Sequence, residues 1–122
     1  MTGNADPEAV RAYYRHVDAG NLEDVFALFA DDIRYTRSGP RVIEGIAEFR
    51  EFYENDRALA GKHSVVDMLV SRDRVAVKGT FEGRNLLDNS EMSFGFADFL
   101  RFDDDGLIVE RATYNNMLSE PL

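Results

Sequence analysis

The run MSFGFADFLRF, residues 92–102, reads as one long strand whose alternation puts Met92, Phe94, Phe96, Asp98, Leu100 and Phe102 on one face and Gly95, Ala97 and Phe99 on the other. What flanks it supports a sheet. Downstream, Asp103-Asp104-Asp105-Gly106 marks a turn into a last strand, Leu107 to Met117. Upstream, Val65 to Val70 and Val75 to Phe81 are β-rich runs separated by Ser71-Arg72-Asp73-Arg74. These four strands are expected to form an antiparallel meander.

The N-terminal third has a different period. Asp6-Pro7-Glu8 offers an N-cap, a proline at the first helical position and an early acid, after which Val10, Tyr13, Tyr14 and Val17 recur at helical spacing until Gly20. Asn21 is expected to cap a second helix, with Asp24 at the box position and Leu22, Val25, Phe26 and Phe29 on its buried side. Ile33 to Arg37 then alternates as a short strand ended by Ser38-Gly39-Pro40, and a third helix is expected from Ile46 to Leu59, with Gly61 beyond its end. Helices followed by a long curved sheet give an α+β domain in which the helices pack inside the curl. A cone of that kind leaves a mouth, and an apolar small molecule would bind between helices and sheet. Residues 1–122 read as a single domain with residues 1–5 frayed; neither a repeat nor a linker interrupts it.

Composition narrows the function. With 23 acidic and 14 basic side chains, a net charge of −9 and no Lys/Arg run, the chain is a poor partner for nucleic acid or an anionic membrane. The lack of cysteine removes disulfides and thiolate chemistry, and two histidines leave little for metal binding, so neither a metal nor another cofactor is expected. The start MTGNADPEAV lacks a basic and then apolar leader pattern, and no stretch approaches a membrane span, which makes the cytoplasm the expected location. Carboxylate, phenol and guanidinium chemistry remains.

Asp98 is the leading candidate for that chemistry. In its apolar row it has few ways to be solvated, so burial would push its carboxyl towards the neutral, hydrogen-bond-donating form. The opposite reading buries Gly95, Ala97 and Phe99 and leaves Asp98 in water. Tyr13, in the middle of a helical stripe, should have a buried ring and a hydroxyl that needs a partner, either as a core residue or as part of a site, and Tyr53 on the third helix could be that partner. Glu110 shares a strand face with Ile108, Ala112 and Tyr114; it could pair with Arg37, serve as a base, or be a solvated strand residue. His16 suits a rim or core position, and His63 opens a strand and reads as surface. The Asp103–Gly106 run lacks the further ligands of a calcium loop and is a turn.

The order of Tyr13 ahead of VDAG, then FADDIRY, EFREFY, ADFLRFDDDG and ATYNN resembles the ketosteroid isomerase branch of the NTF2-like, SnoaL-like cone superfamily, over nearly the whole chain. The resemblance implies a cone-shaped curved antiparallel sheet wrapped around N-terminal helices. It also implies that Tyr13 and a neutral Asp98 form an oxyanion hole, that Tyr53 hydrogen-bonds Tyr13, and that Tyr114 lines the pocket from the last strand. The isomerase's general base, a carboxylate near the end of the first strand, falls at Arg37, and a guanidinium accepts no proton. Alternation would still turn Arg37 and Tyr35 into the pocket, as a cation and an aromatic wall.

The function so implied is proton transfer next to a carbonyl on a hydrophobic small molecule, by an isomerase or polyketide cyclase, with Tyr13 and Asp98 as catalytic residues and Tyr35, Arg37, Tyr53, Glu110 and Tyr114 as binding residues. A non-catalytic ligand-binding module of the same fold is the alternative. An epoxide hydrolase of the limonene type fits less well, because the second aspartate of its Asp–Arg–Asp set would fall at Thr113. A homodimer is expected through the outer sheet face, where Gly95, Ala97 and Phe99 leave an apolar strip.

Overall fold

The Asp6 carboxylate accepts from the backbone N–H of Glu8 at 3.0 Å and of Ala9 at 3.3 Å, Pro7 takes the first helical position, and α1 runs over Pro7–Ala19. Gly20 ends it at φ 76°, a left-handed conformation that suits a residue without Cβ. In this computed structural model, which describes residues 3–37 and 41–116, α1 is followed by α2 (Leu22–Phe26), β1 (Phe29–Thr36), β2 (Val42–Glu44) and α3 (Ile46–Glu51). A π-helical turn, Phe52–Asp56, continues α3, and four long strands close the chain: β3 (Leu59–Ser71), β4 (Arg74–Asn85), β5 (Glu91–Phe102) and β6 (Ile108–Asn115). The turn expected at Ser38-Gly39-Pro40 and the end of the last strand at Met117 lie outside the described residues.

The strands form one curved, open six-stranded sheet in the order β2-β1-β6-β5-β4-β3. Neighbours are antiparallel except β1 and β6, which run parallel. The meander of the last four strands is as the alternation predicts. Four local expectations are corrected. Phe29 belongs to β1 and not to the second helix, and Asn21 makes no side-chain cap bond. Helix three stops well short of Leu59, since Leu59 and Gly61 are already in β3, paired with Asn85 and Gly83. The expected fraying of residues 1–5 does not reach Asn4 and Ala5, which bond the backbone oxygens of Asp103 at 2.9 Å and Arg72 at 3.0 Å. Among the described residues, no helix is long and apolar enough to cross a membrane.

The helices lie in the curl of the sheet. Val10, Tyr13 and Val17 of α1 and Phe49 of α3 pack on Phe29, Ile33, Leu100 and Ile108, all buried. The π-helical turn carries Phe52 and Tyr53, and both are buried with Phe49. On β5 the inward row is the one predicted: Phe96, Asp98, Leu100 and Phe102 are buried, whereas Phe99 is 48% exposed.

Two sequence details set the shape of the interior. In β6 the pairing steps from Arg101↔Glu110 to Phe102↔Ile108, so Val109 is a bulge residue and the alternation changes phase there. Ile108 faces in, and beyond the bulge the inward places go to Arg111 and Thr113 instead of Glu110 and Tyr114. In β4, Gly79 sits under the Phe96 ring: a Cβ there would come within 2.6 Å of the ring and of the Ser64 carbonyl oxygen. Gly79→Ala is therefore expected to displace Phe96 and destabilise by about 1–3 kcal/mol, the range for overpacking. Urea unfolding of the variant against the parent measures it.

Candidate functional site

β5 and β6 bring together two buried charged side chains, Asp98 and Arg111. Asp98 has 0% and Arg111 5% exposure, and they sit on neighbouring strands with Asp98 opposite Thr113. Arg111 approaches side by side, Nη2 donating to Asp98 Oδ2 at 3.0 Å and Nε to Oδ1 at 3.3 Å. Tyr14 from α1 and Thr113 from β6 also donate their hydroxyls to Asp98. Both carboxyl oxygens thus act as acceptors, and the expectation of a proton-donating Asp98 is corrected on that ground. The side chain is inward as predicted, but its role is to receive.

Arg111 links this carboxyl to the tyrosines. Its Nη1 donates to the Tyr13 hydroxyl and, at 3.0 Å, to that of Tyr53, and the two hydroxyls hydrogen-bond each other. The guanidinium lies over the rings of Tyr13 at 4.4 Å and Tyr35 at 4.6 Å. Tyr35 completes the chain through its hydroxyl contact with Thr113 at 3.0 Å. Burial alone would lower the Arg111 pKa, but Asp98 and the surrounding tyrosines hold it well above its ordinary value. Burial raises the Tyr13, Tyr14 and Tyr35 hydroxyls, with Arg111 opposing in each case, so they remain protonated donors around neutrality.

This network forms the floor of a cavity of about 50 Å³ between the sheet and the helices. Tyr13, Tyr35, Arg37, Tyr53 and Asp98 line it, joined by Arg57, His63, Arg111 and a group of phenylalanines. Arg37 enters from the end of β1 with its guanidinium 4.5 Å from the Phe52 ring, and its buried Nε has no hydrogen-bond partner among the described residues. Glu110 and Tyr114, expected in the pocket, are both outside it, because the Val109 bulge turns them to the outer face. Glu110 pairs there with Arg101 and not with Arg37, and Tyr114 is 60% exposed beside Phe99. Larger hollows near Glu82 and Glu91, and near Gly3 and Asp103, are lined mostly by polar surface residues.

The expectation of a surface His63 is corrected as well. Its ring is packed against Tyr14, Phe81 and Phe96, and Asp18 at the end of α1 holds it, Nδ1 lying 2.6 Å and the backbone N–H 2.8 Å from the carboxylate oxygens. Burial lowers its pKa below the ordinary 6.5, against the opposing pull of Asp18. Arg111, Tyr14, Thr113 and the Asp18–His63 pair were thus not recognised from sequence. Only the bulge would have revealed Arg111, and the Asp18–His63 contact joins positions 45 apart in the chain. Among the described residues, no group of three or more His, Asp or Glu side chains could hold a metal ion.

The sequence pattern of the SnoaL-like domain matches residues 10–111. The chain belongs to the SnoaL-like domain family. No curated protein matches this SnoaL-like chain, but solved structures do. An NTF2-like protein of unknown function from Exiguobacterium superposes with a TM-score of 0.79 at 23% identity, covering 90% of this chain and 99% of its own. A Pseudomonas putida protein assigned as a polyketide cyclase gives 0.78 at 24%, covering 96% and 93%. An epoxide hydrolase of Mycobacterium tuberculosis gives 0.77 at 17%, covering 89% and 80%. At these identities the likeness is one of fold.

Two outcomes follow for this SnoaL-like domain. Asp98→Asn or Arg111→Met alone should cost about 3–5 kcal/mol by leaving a buried charge without its partner, and Asp98→Leu with Arg111→Met should cost less than the sum of the two single changes, as read by denaturant unfolding. Because the folded state holds the His63 pKa below the unfolded 6.5, the unfolded chain takes up the proton first on acidification, so the His63 contribution to stability is complete above that pH and is lost as pH falls below it. Unfolding free energies measured across this range should therefore fall less steeply for His63→Gln than for the parent.

Proposed function

We propose that the protein moves a proton next to the carbonyl of a hydrophobic small molecule, as an isomerase or polyketide cyclase does, with the carbonyl oxygen received by Tyr13 and Arg37. One observation carries this reading. Tyr13 lines the cavity and its hydroxyl takes an N–H from the buried Arg111, and with Tyr53 as the donor in the Tyr13–Tyr53 contact its own proton is left for a ligand oxygen. A donor fixed in advance against a buried cation needs no reorganisation as charge develops on an enolate. Asp98 serves this site by holding Arg111, in place of the donor role the resemblance implies for it.

The cation at the end of β1 selects the substrate. Arg37 takes the position that the resemblance gives to the isomerase base, and with an unpartnered Nε and no ion-pair partner among the described residues it favours a ligand with a carboxylate or enolate oxygen. Phenylpyruvate is a suitable probe: it has an aromatic ring, a carboxylate and an acidic methylene beside a ketone. The protein should accelerate exchange of its C3 protons with D2O, followed by NMR, and Tyr13→Phe should lower that rate by about 10²–10³. Arg37→Met should weaken phenylpyruvate binding more than binding of the uncharged methyl ester. Saturable binding without exchange would identify a ligand-binding module instead.

We further propose a homodimer through the outer sheet face. Leu69, Ala76, Phe99 and Ala112 are cross-strand neighbours in one row there, with Leu69 and Phe99 68% and 48% exposed. Gly95, expected in this strip, is partly covered by Asn116, which accepts its N–H at 2.7 Å. Phe99→Glu should convert a dimeric mass to a monomeric one in sedimentation equilibrium; a monomeric parent at micromolar concentration would rule the dimer out.

A further inference from the structure

A site that abstracts a proton needs a group to take it, and Arg37 occupies the place where the isomerase keeps that group. The other titratable side chains lining the cavity fall away one by one. Tyr13, Tyr35 and Tyr53 present hydroxyls held in the Arg111 network, and Arg57 and Arg111 are cations. Both oxygens of Asp98 are already taken by Arg111, Tyr14 and Thr113, so accepting a further proton would break that set. His63 remains, and among the described lining residues it alone has a neutral form that accepts a proton.

Its setting is that of an oriented base. Asp18 grips His63 at two points, through the backbone N–H and through Nδ1, which fixes the ring plane and assigns the Nδ1 proton to the carboxylate side. Tyr14 stacks on the imidazole at 5.3 Å, and Phe81 and Phe96 flank it at 4.8 and 5.5 Å. Nε2 is then the nitrogen the ring can offer. The side chains of Asp18 and His63 are 20% and 11% exposed, so water competes weakly for either.

We propose that His63 is the general base of this site, with Asp18 as its positioning residue. Nε2 takes a proton from the carbon beside the substrate carbonyl; the C–H electron pair moves into the enolate, whose oxygen meets Tyr13 and Arg37, and the imidazolium, once its Nε2 proton has exchanged with solvent, returns a proton, or in D2O a deuteron, to carbon. Nothing is oxidised or lost, and no co-reactant is required. Asp18 stabilises the imidazolium as it forms, and burial keeps the ring neutral and ready at pH 7. The charged and titratable groups acting on it are Asp18 and Tyr14 from α1, Arg57 from the segment before β3, and Arg111 from β6.

This inference rests on the proton-transfer reading above, and one experiment separates the two. C3 exchange of phenylpyruvate in D2O is followed for the parent, His63→Gln and Asp18→Asn across pH 5–8. His63→Gln should lower kcat by about 10²–10⁴ with KM little changed and abolish the rise of rate with pH. Asp18→Asn should lower kcat less and move that rise to lower pH, because the carboxylate that raises the imidazole pKa is gone. If the parent exchanges and His63→Gln keeps more than half of the rate, the base assignment falls and the proton-transfer reading stands. If the parent does not exceed the buffer rate, both fall. A variant that does not fold leaves a direct test on the parent, since ¹⁵N NMR at pH 7 should show His63 as the Nδ1–H tautomer, and an Nε2–H tautomer overturns the proposal.

Discussion

The buried pairing of Asp98 with Arg111 is the constraint on which the rest of the interior depends. Two full charges have left water, and such a pair is tolerated only where geometry and further hydrogen bonds offset the desolvation of both. Asp98 meets that condition with four donated bonds, from Arg111 twice, Tyr14 and Thr113, and Arg111 meets it with Asp98 and two tyrosine hydroxyls. These partners come from α1, the π-helical turn, β5 and β6. The pair therefore fixes how the helices sit against the sheet as well as what the cavity floor presents. Hydrophobic residues of similar volume could fill the same space with equal stability, but they would leave Tyr13 and Tyr53 without a cation to orient them.

That arrangement explains why the isomerase scheme is only partly transferable to this chain. An oxyanion hole of a tyrosine and a neutral acid needs an acid isolated from cations. Here the acid faces a guanidinium, which also donates to the Tyr13 hydroxyl. The place of the isomerase base is likewise cationic. Both changes have the same sign: Arg37, Arg57 and Arg111 gather around one carboxylate in a chain whose net charge is −9. A cationic interior in an acidic protein is costly unless a ligand or a function compensates it, which is the physical ground for expecting negative charge on the substrate or on its reacting form.

The long-range plan was legible because it lies in period and punctuation. The alternation over residues 92–102 placed Asp98 inward, the Tyr13 stripe and Gly20 bounded α1, and the turn before β6 was marked by Gly106, which adopts φ 80°. Two of the failures are local departures from a regular repeat. A single extra residue at Val109 exchanged the faces of Glu110 and Arg111, turning an expected pocket acid outward and an unsuspected arginine inward. The π-helical turn shortened α3 and left β3 to begin six residues before the run that alternation marked. Neither event leaves a mark in composition, because each is decided by which side chains the interior can accept.

His63 shows the same limit from the other side. On its strand it has exposed neighbours in Lys62 and Ser64, and period alone gives it no special place. Its burial comes from α1, which lays Tyr14 and Asp18 over the inner end of β3, four positions apart and so on one helical face. One helix thus sends Tyr13 to Arg111, Tyr14 to Asp98 and Asp18 to His63. The proposed oxyanion donor, the anchor of the buried ion pair and the carboxylate that holds His63 therefore all come from a single helix. Their relative geometry changes only if α1 moves as a whole, and the Asp6 cap and Gly20 stop fix its ends. Pre-organisation in this site comes from secondary structure laid across a sheet.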